Sequence, residues 1–172
     1  MKVLLTREAF LGILAASLEA YKRESIGFLF GSKGKKIIAV KSAFPPQTAK
    51  RFYASAEIST KTEKRLVSIF EHYAHMKLLG FFHSHPEYGD TQGEIKLSNA
   101  DMRSLKNNEI VIVIAINESS KSDKWKVNSD DSISGTVDQY LFSIAAYIKD
   151  QNKDGQAMMS QLKLEIKGLL FH

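Results

Sequence analysis

Residues 110–116 read Ile-Val-Ile-Val-Ile-Ala-Ile, an apolar run of strand length with no side chain suited to water. Such a run fits a central strand buried on both faces. It therefore demands a sheet covered on both sides, with further strands and helices elsewhere in the chain. Residues 2–5 suit a short first strand. Thr6 then precedes Phe10, Ile13, Leu14 and Tyr21 near helical spacing, which predicts an amphipathic helix over 7–21. Residues 27–30 and 36–44 are rich in β-formers, and Gly31-Ser32-Lys33-Gly34 between them supplies turn chemistry for a hairpin. Pro45-Pro46 ends its second strand, because proline has no N–H to give to a ladder.

Residues 52–58 form a third candidate strand. Thr60 and Glu63 have the spacing of a capping box, opening a helix with Leu66, Ile69, Phe70 and Tyr73 on one apolar face. Residues 78–85 return to strand and 98–107 to helix. After the central run, 125–128 and 140–148 read as strands, the latter with Tyr140, Phe142, Ile144, Ala146 and Ile148 on one face. The polar stretches 117–124, 128–135 and 150–156 read as loops, and 156–172 fits either helix or strand. Nothing repeats and no linker divides the chain. The expectation is one α/β domain over residues 1–172, a mixed sheet flanked by helices.

At 172 residues the chain can bury a substantial core, and 44% hydrophobic with 25% charged residues decides for an ordered domain over a disordered one. With no cysteine, disulfides and thiolate sites are excluded, so any metal falls to His, Asp, Glu or water. The apolar run 10–18 is far below the ~20 residues that span a bilayer, and Arg7 and Glu8 flank it. It reads as a buried helix face, and the protein as cytoplasmic, with no membrane partner. The net charge of +5 is uneven: residues 1–86 hold 14 basic and 6 acidic side chains, the remainder 10 and 13. A basic half attracts acidic protein surfaces by long-range steering. The arginine-rich, aromatic-interleaved stripe of a nucleic-acid surface is missing, so nucleic acid is not an expected partner.

The chemistry concentrates in His83-Ser84-His85-Pro86 and, with twelve residues between His85 and Ser98, Ser98-Asn99-Ala100-Asp101. On a strand, His83 and His85 project to one face and Ser84 to the other. Ser98 and Asp101 stand one turn apart at a predicted helix start. Alone, they read as a helix cap and a first-turn acid, and only the combination points to a site. Two imidazoles and one carboxylate, with a fourth position left to water, is the usual composition of a catalytic zinc site. Glu24, in Arg23-Glu24-Ser25-Ile26-Gly27-Phe28-Leu29-Phe30-Gly31, is available as proton carrier. His72 and His75, three apart, read as a solvated helix face. Trp125, the one tryptophan, reads as core or sheet-edge packing, and His172 as part of a terminal segment. The apolar 168–171 segment is assigned to core packing, with a homodimer contact as its alternative use.

Taken together, Glu24 with its Gly27–Gly31 tail, the His-Ser-His-Pro run and Ser98-x-x-Asp101 resemble the JAMM/MPN+ zinc metalloprotease family, in particular its stand-alone prokaryotic members. The order of elements fits from about residue 5 to 150. The resemblance implies a curved mixed sheet flanked by helices, a cytidine-deaminase-like core. It implies His83, His85 and Asp101 as Zn²⁺ ligands with water as the remaining one, Glu24 as proton shuttle and Ser98 as oxyanion donor. It further implies a metallo-isopeptidase acting on ubiquitin-like proteins or their conjugates. A non-catalytic scaffold, or a zinc peptidase with another peptide substrate, is the competing reading. One departure stands out: the 86–97 spacer is longer than the family's usual one and adds Glu87, Asp90 and Glu94 as rival carboxylate ligands. Asp101 is preferred because Ser98-x-x-Asp101 keeps its internal spacing. The lengthened loop reads as a substrate-contacting flap or lid, able to occlude the site.

Overall fold

The computed structural model describes residues 1–52, 55–151 and 156–168. Strand β1 (Lys2–Leu5) leads through the Thr6 N-cap into helix α1 (Arg7–Glu19), then β2 (Ile26–Lys33) and β3 (Ile37–Phe44) form a hairpin. Short strands β4 (Lys50–Arg51) and β5 (Ala56–Glu57) pair with each other, and α2 (Thr60–Ala74) follows. Then come β6 (Lys77–Pro86), α3 (Asn99–Ser104), β7 (Ile110–Glu118), β8 (Lys126–Val127), β9 (Ile133–Val137), β10 (Tyr140–Gln151) and β11 (Ala157–Ile166).

The main sheet runs β11-β1-β3-β2-β6-β7-β10-β9-β8, and β11 also pairs with β10. The expected curvature therefore goes to closure: seven strands form a ring that leaves β9 and β8 as an antiparallel extension. Strands β1–β11, β1–β3 and β6–β7 pair in parallel, so the sheet is mixed. The expected central strand is β7, buried from Ile110 to Ile116. Its even residues join α1's Phe10 and Ile13 and the inward residues of β10 in the main core. Its odd residues Val111 and Val113 pack with Leu105, Leu97, Phe81 and Tyr147 on the opposite face. Two-sided burial is what an unbroken apolar run requires.

Several boundaries depart from the sequence reading. Gly31, Ser32 and Lys33 are strand, not turn. A Cβ on Gly31 would lie 1.9 Å from the Ala39 carbonyl, so that glycine serves a close strand approach at a bulge. The 52–58 strand shrinks to β5, with 53 and 54 outside the described residues. The α2 cap is Ser59, whose hydroxyl accepts from Thr62 N, one residue before the expected Thr60. Its apolar face exists but is thinly covered: Phe70 stacks on Phe30, while Ile69 and Tyr73 are 54% and 79% exposed. The 98–107 helix is only Asn99–Ser104. Part of the supposed 128–135 loop is β9, and 157–166 resolves to strand. Trp125 meets Phe10 edge-on and covers Gly135, as its packing role requires. His72 and His75 are exposed at the end of α2. The apolar 169–171 residues and His172 lie outside the described residues.

A bulge in β6 sets up the site strand. Leu29 pairs with Gly80 but Phe30 pairs with Leu78, so Leu79 is the extra residue. Gly80 sits at φ +143°, and a Cβ there would fall 1.9 Å from the Ile110 carbonyl. Gly80→Ala is expected to cost about 3 kcal/mol or more, from strain plus overlap at a buried strand. Urea denaturation checks this, and a loss under about 1 kcal/mol would contradict the bulge geometry.

Candidate metal centre

Strand register places the candidate residues. On β6, Phe81, His83 and His85 pair with Val111, Val113 and Ala115, on the face that α3 covers. Ile26 pairs with His83 and Phe28 with Phe81, so β2 extends the same face with an apolar bed. Ser84 points the other way, as period two dictates. There it meets Ser25, whose N–H and hydroxyl both donate to Ser84 Oγ at 2.9 and 3.0 Å. Ser17 of α1 lies 3.3 Å from the Ser25 hydroxyl, and all three serines are fully buried. This hydroxyl cluster joins the segment carrying Glu24 to the strand carrying the histidines. Glu24 itself donates its N–H to the Phe52 carbonyl.

Pro86 ends β6, and the chain crosses over through α3 to the parallel strand β7. Both imidazoles thus lie at the carboxyl end of a parallel strand pair, where α/β sheets place their sites. Asp101 arrives on the first turn of α3. Its Oδ2 accepts from Ser98 N (2.8 Å) and Ser98 Oγ (2.7 Å), while Asp101 N donates back to Ser98 Oγ (3.1 Å). This is a capping box, so the helix-cap reading and the ligand reading describe one geometry. Oδ1 is left over and stands 3.5 Å from His83 Nε2. Lys149 of β10 holds the far end of this short helix, donating to the Met102 and Leu105 carbonyls at 3.0 and 2.8 Å.

His83 Nε2 and His85 Nε2 are 3.0 Å apart, and the ligand atoms of His83, His85 and Asp101 all fall within 4.8 Å of one another. A tetrahedral ion with bonds of about 2.0–2.1 Å has ligand atoms roughly 3.3 Å apart. The donor set fits a divalent cation of zinc type in its chemistry, and the separations of 3.0 Å between the imidazole nitrogens and 3.5 Å from His83 to Asp101 bracket that spacing. His85 is prepared for it: Nδ1 lies 2.7 Å from the Glu94 carbonyl, which can only accept. The proton is therefore on Nδ1, and Nε2 presents its lone pair. Among the described residues this is the group of three metal-type ligands that forms; Glu87, Asp90 and Glu94 stand outside it. Glu87 instead accepts from Tyr21 and from Glu118 N.

Electrostatics sort the groups. Burial, and then the His83 charge nearby, push His85 below the usual imidazole value, which keeps it neutral. For Asp101, burial alone would raise the carboxyl. Hydrogen bonding and charge from His83, with the Ser98 donors, outweigh that and hold it well below the usual carboxylate range. Glu24 goes the other way: burial pushes it up to about 7, His83 opposing and Asp101 reinforcing. A cleft of about 480 Å³ is lined by Glu24, His83, His85, Ser98 and Asp101, with Ile26, Phe28 and Phe81 as its apolar bed. All five expected residues thus open onto one space.

Sequence reasoning missed Lys149, Asn117 and Tyr147, which brace this site from behind. Asn117 had a signal, as the first polar residue after the 110–116 run. Tyr147 had another, as the one aromatic among the off-face residues of 140–148. The 86–97 segment, expected as a flap or lid, is bonded through its backbone at Gly93, Glu94 and Ile95 to three separate strands.

The family described as "Prok-JAB: Prokaryotic homologs of the JAB domain" matches residues 6–128. No curated protein matches the sequence. Among solved structures, the solution structure of protein DSY2949 from Desulfitobacterium hafniense is similar at 18% identity. It covers 98% of this chain and 94% of its own, with a TM-score of 0.58. That likeness speaks to the fold, and no helix among the described residues is long and apolar enough to cross a membrane. With the match spanning most of the chain, and the fold and the His-His-Asp group as found, the chain belongs to the prokaryotic JAB-domain family, within the JAMM/MPN class.

Proposed function

We propose that the protein is a zinc-dependent metallo-isopeptidase of the cytoplasm, hydrolysing the amide or isopeptide bond at the C-terminus of ubiquitin-like modifiers. The observation that carries this reading is Glu24. A carboxyl held near 7 opens onto the same cleft as two imidazoles and a carboxylate of metal-ligand spacing. A carboxyl perturbed by burial beside a ligand set is placed for proton transfer. Zinc, when bound, would supply Lewis acidity and bring the pKa of water to about 7.

His83, His85 and Asp101 would hold the ion. Glu24 would take a proton from the attacking water and return one to the leaving amine. Ser98 lines the cleft and would donate to the developing oxyanion once its hydroxyl turns from Asp101 Oδ2 toward substrate. Ser55, Ala56 and Ile58 line the cleft opposite α3, and among the described residues β5 pairs with β4 alone. An extended C-terminal tail would add along that strand and reach the ligand group over the apolar bed. The basic N-terminal half favours an acidic modifier.

The expected result is about one zinc per chain on purification. Cleavage of a reporter amide at the C-terminus of a ubiquitin-like protein should be abolished by a chelator and restored by zinc. A zinc-loaded protein that cleaves short peptides but no ubiquitin-like reporter would transfer the reading to a peptidase of another substrate class. Failure to take up any divalent metal would leave a scaffold.

A further inference from the structure

The segment 87–97, expected as a flap or lid, is fastened to the sheet at three successive residues. Gly93 N donates to Asn117 Oδ1 at 2.7 Å, and Asn117 Nδ2 donates to the Gly93 carbonyl at 3.1 Å. A side-chain amide on β7 thus supplies both bonds that a neighbouring strand would supply. One residue on, the Glu94 carbonyl takes the His85 Nδ1 proton at 2.7 Å. One further, the Ile95 carbonyl takes the Tyr147 hydroxyl at 3.0 Å. Three successive residues are therefore fastened to β7, β6 and β10 in turn. Gly93 permits this close passage, since a Cβ there would lie 2.0 Å from the His85 carbonyl. At its front end the segment is tied again, through Glu87 to Tyr21 and to Glu118 N.

The added residues form a strap, and the strap ends in a contact with a metal-ligand histidine. A ring whose far nitrogen is held by a carbonyl has one tautomer and one orientation. The carbonyl that does this belongs to a loop without regular structure of its own, so its aim depends on what fixes Gly93. We infer that Asn117 is a positioning residue of the metal centre: by clamping Gly93 it aims the Glu94 carbonyl at His85 Nδ1, which fixes the ring with Nε2 toward the cation. This rests on the metal-binding reading of the site and not on its hydrolytic chemistry.

The test compares wild type with Asn117→Ala and Asn117→Asp. Zinc affinity is measured by competition with a chromophoric chelator. The His85 tautomer is read in the metal-free protein from long-range ¹H–¹⁵N imidazole spectra. Asn117→Ala is expected to weaken zinc about 10- to 100-fold, the usual effect of losing an outer-shell partner, and to convert His85 from the Nδ1–H form to a tautomer mixture. Asn117→Asp keeps the acceptor for Gly93 N but sets a second acceptor against the Gly93 carbonyl, so both readouts should fall between. Should Asn117→Ala not fold, Asn117→Asp carries the test. Tyr147→Phe loosens the strap one residue beyond the contact and should leave the tautomer in place. Unchanged affinity and an unchanged tautomer in folded Asn117 variants would overturn the assignment. If wild type takes up no zinc, the metal reading fails, and the tautomer spectra still decide whether Asn117 sets His85.

Discussion

Glu24→Gln is expected to lower turnover by about 10²- to 10⁴-fold, the usual share of a general acid–base group, while zinc stays bound. The amide keeps the side chain's size, and Glu24 lies outside the ligand group. What disappears is the capacity to move a proton. The metal-free protein gives a second readout with a definite sign. Glu24 titrates near 7 in the folded chain and near 4.5 unfolded, because burial disfavours its charge. A raised carboxyl binds more protons folded than unfolded, so the native state loses stability as pH climbs from about 4.5 to about 7 and stays lower above that. Glu24→Gln should therefore stabilise the metal-free protein at pH 8 and not at pH 4. With partial exposure screening the effect, the gain is about 1 kcal/mol, or a few degrees in Tm. Activity within a few-fold of wild type would remove Glu24 from the reaction. A pH-independent stability difference would contradict its environment.

His85→Ala and Asp101→Ala are each expected to bring zinc from about one per chain to near zero after dialysis. Losing one of three protein ligands leaves too few to retain the ion. The two differ in side effects. Asp101→Ala also breaks the capping box with Ser98 and should cost α3 about 1 kcal/mol. Asp101→Asn separates these roles, because the amide oxygen still accepts from Ser98 while the anionic ligand is gone. Zinc retained in Asp101→Ala but lost in His85→Ala would shift the carboxylate role to the 86–97 segment. The structure weighs against that outcome, since Glu87 is committed to Tyr21 and Glu118.

Much of the site was legible in the sequence because strand geometry is strict. Period two alone sets His83 and His85 on one face and Ser84 on the other, and the structure keeps that parity through β2 as well. Asp101 was legible from its interval to Ser98, which the capping box preserves. The misreadings came where local chemistry is ambiguous. Gly31 reads as a turn residue, yet it serves a strand crossing close to Ala39, a demand only tertiary pairing reveals. The 86–97 spacer is polar and holds two glycines, which suggests mobility. Its anchors, Asn117 and Tyr147, lie 24 and 52 residues away from their partners and leave no mark in the spacer itself. Closure of the sheet was hidden for the same reason, because β11 has partners at both ends of the chain.

That closure governs when the protein can finish itself. Strand β11 is synthesised last but lies between β1, synthesised first, and β10. A nascent chain that has extended to residue 151 still carries two open strand edges and a breached core, the exposure that invites wrong pairing. All the candidate ligand residues precede Lys149 in the chain, yet α3 has its far end held by Lys149 of β10, and β10 in turn pairs with β11. The candidate ligand group is thus fastened by strands that follow it in the chain, and its rigidity is inherited from residues that carry none of its chemistry.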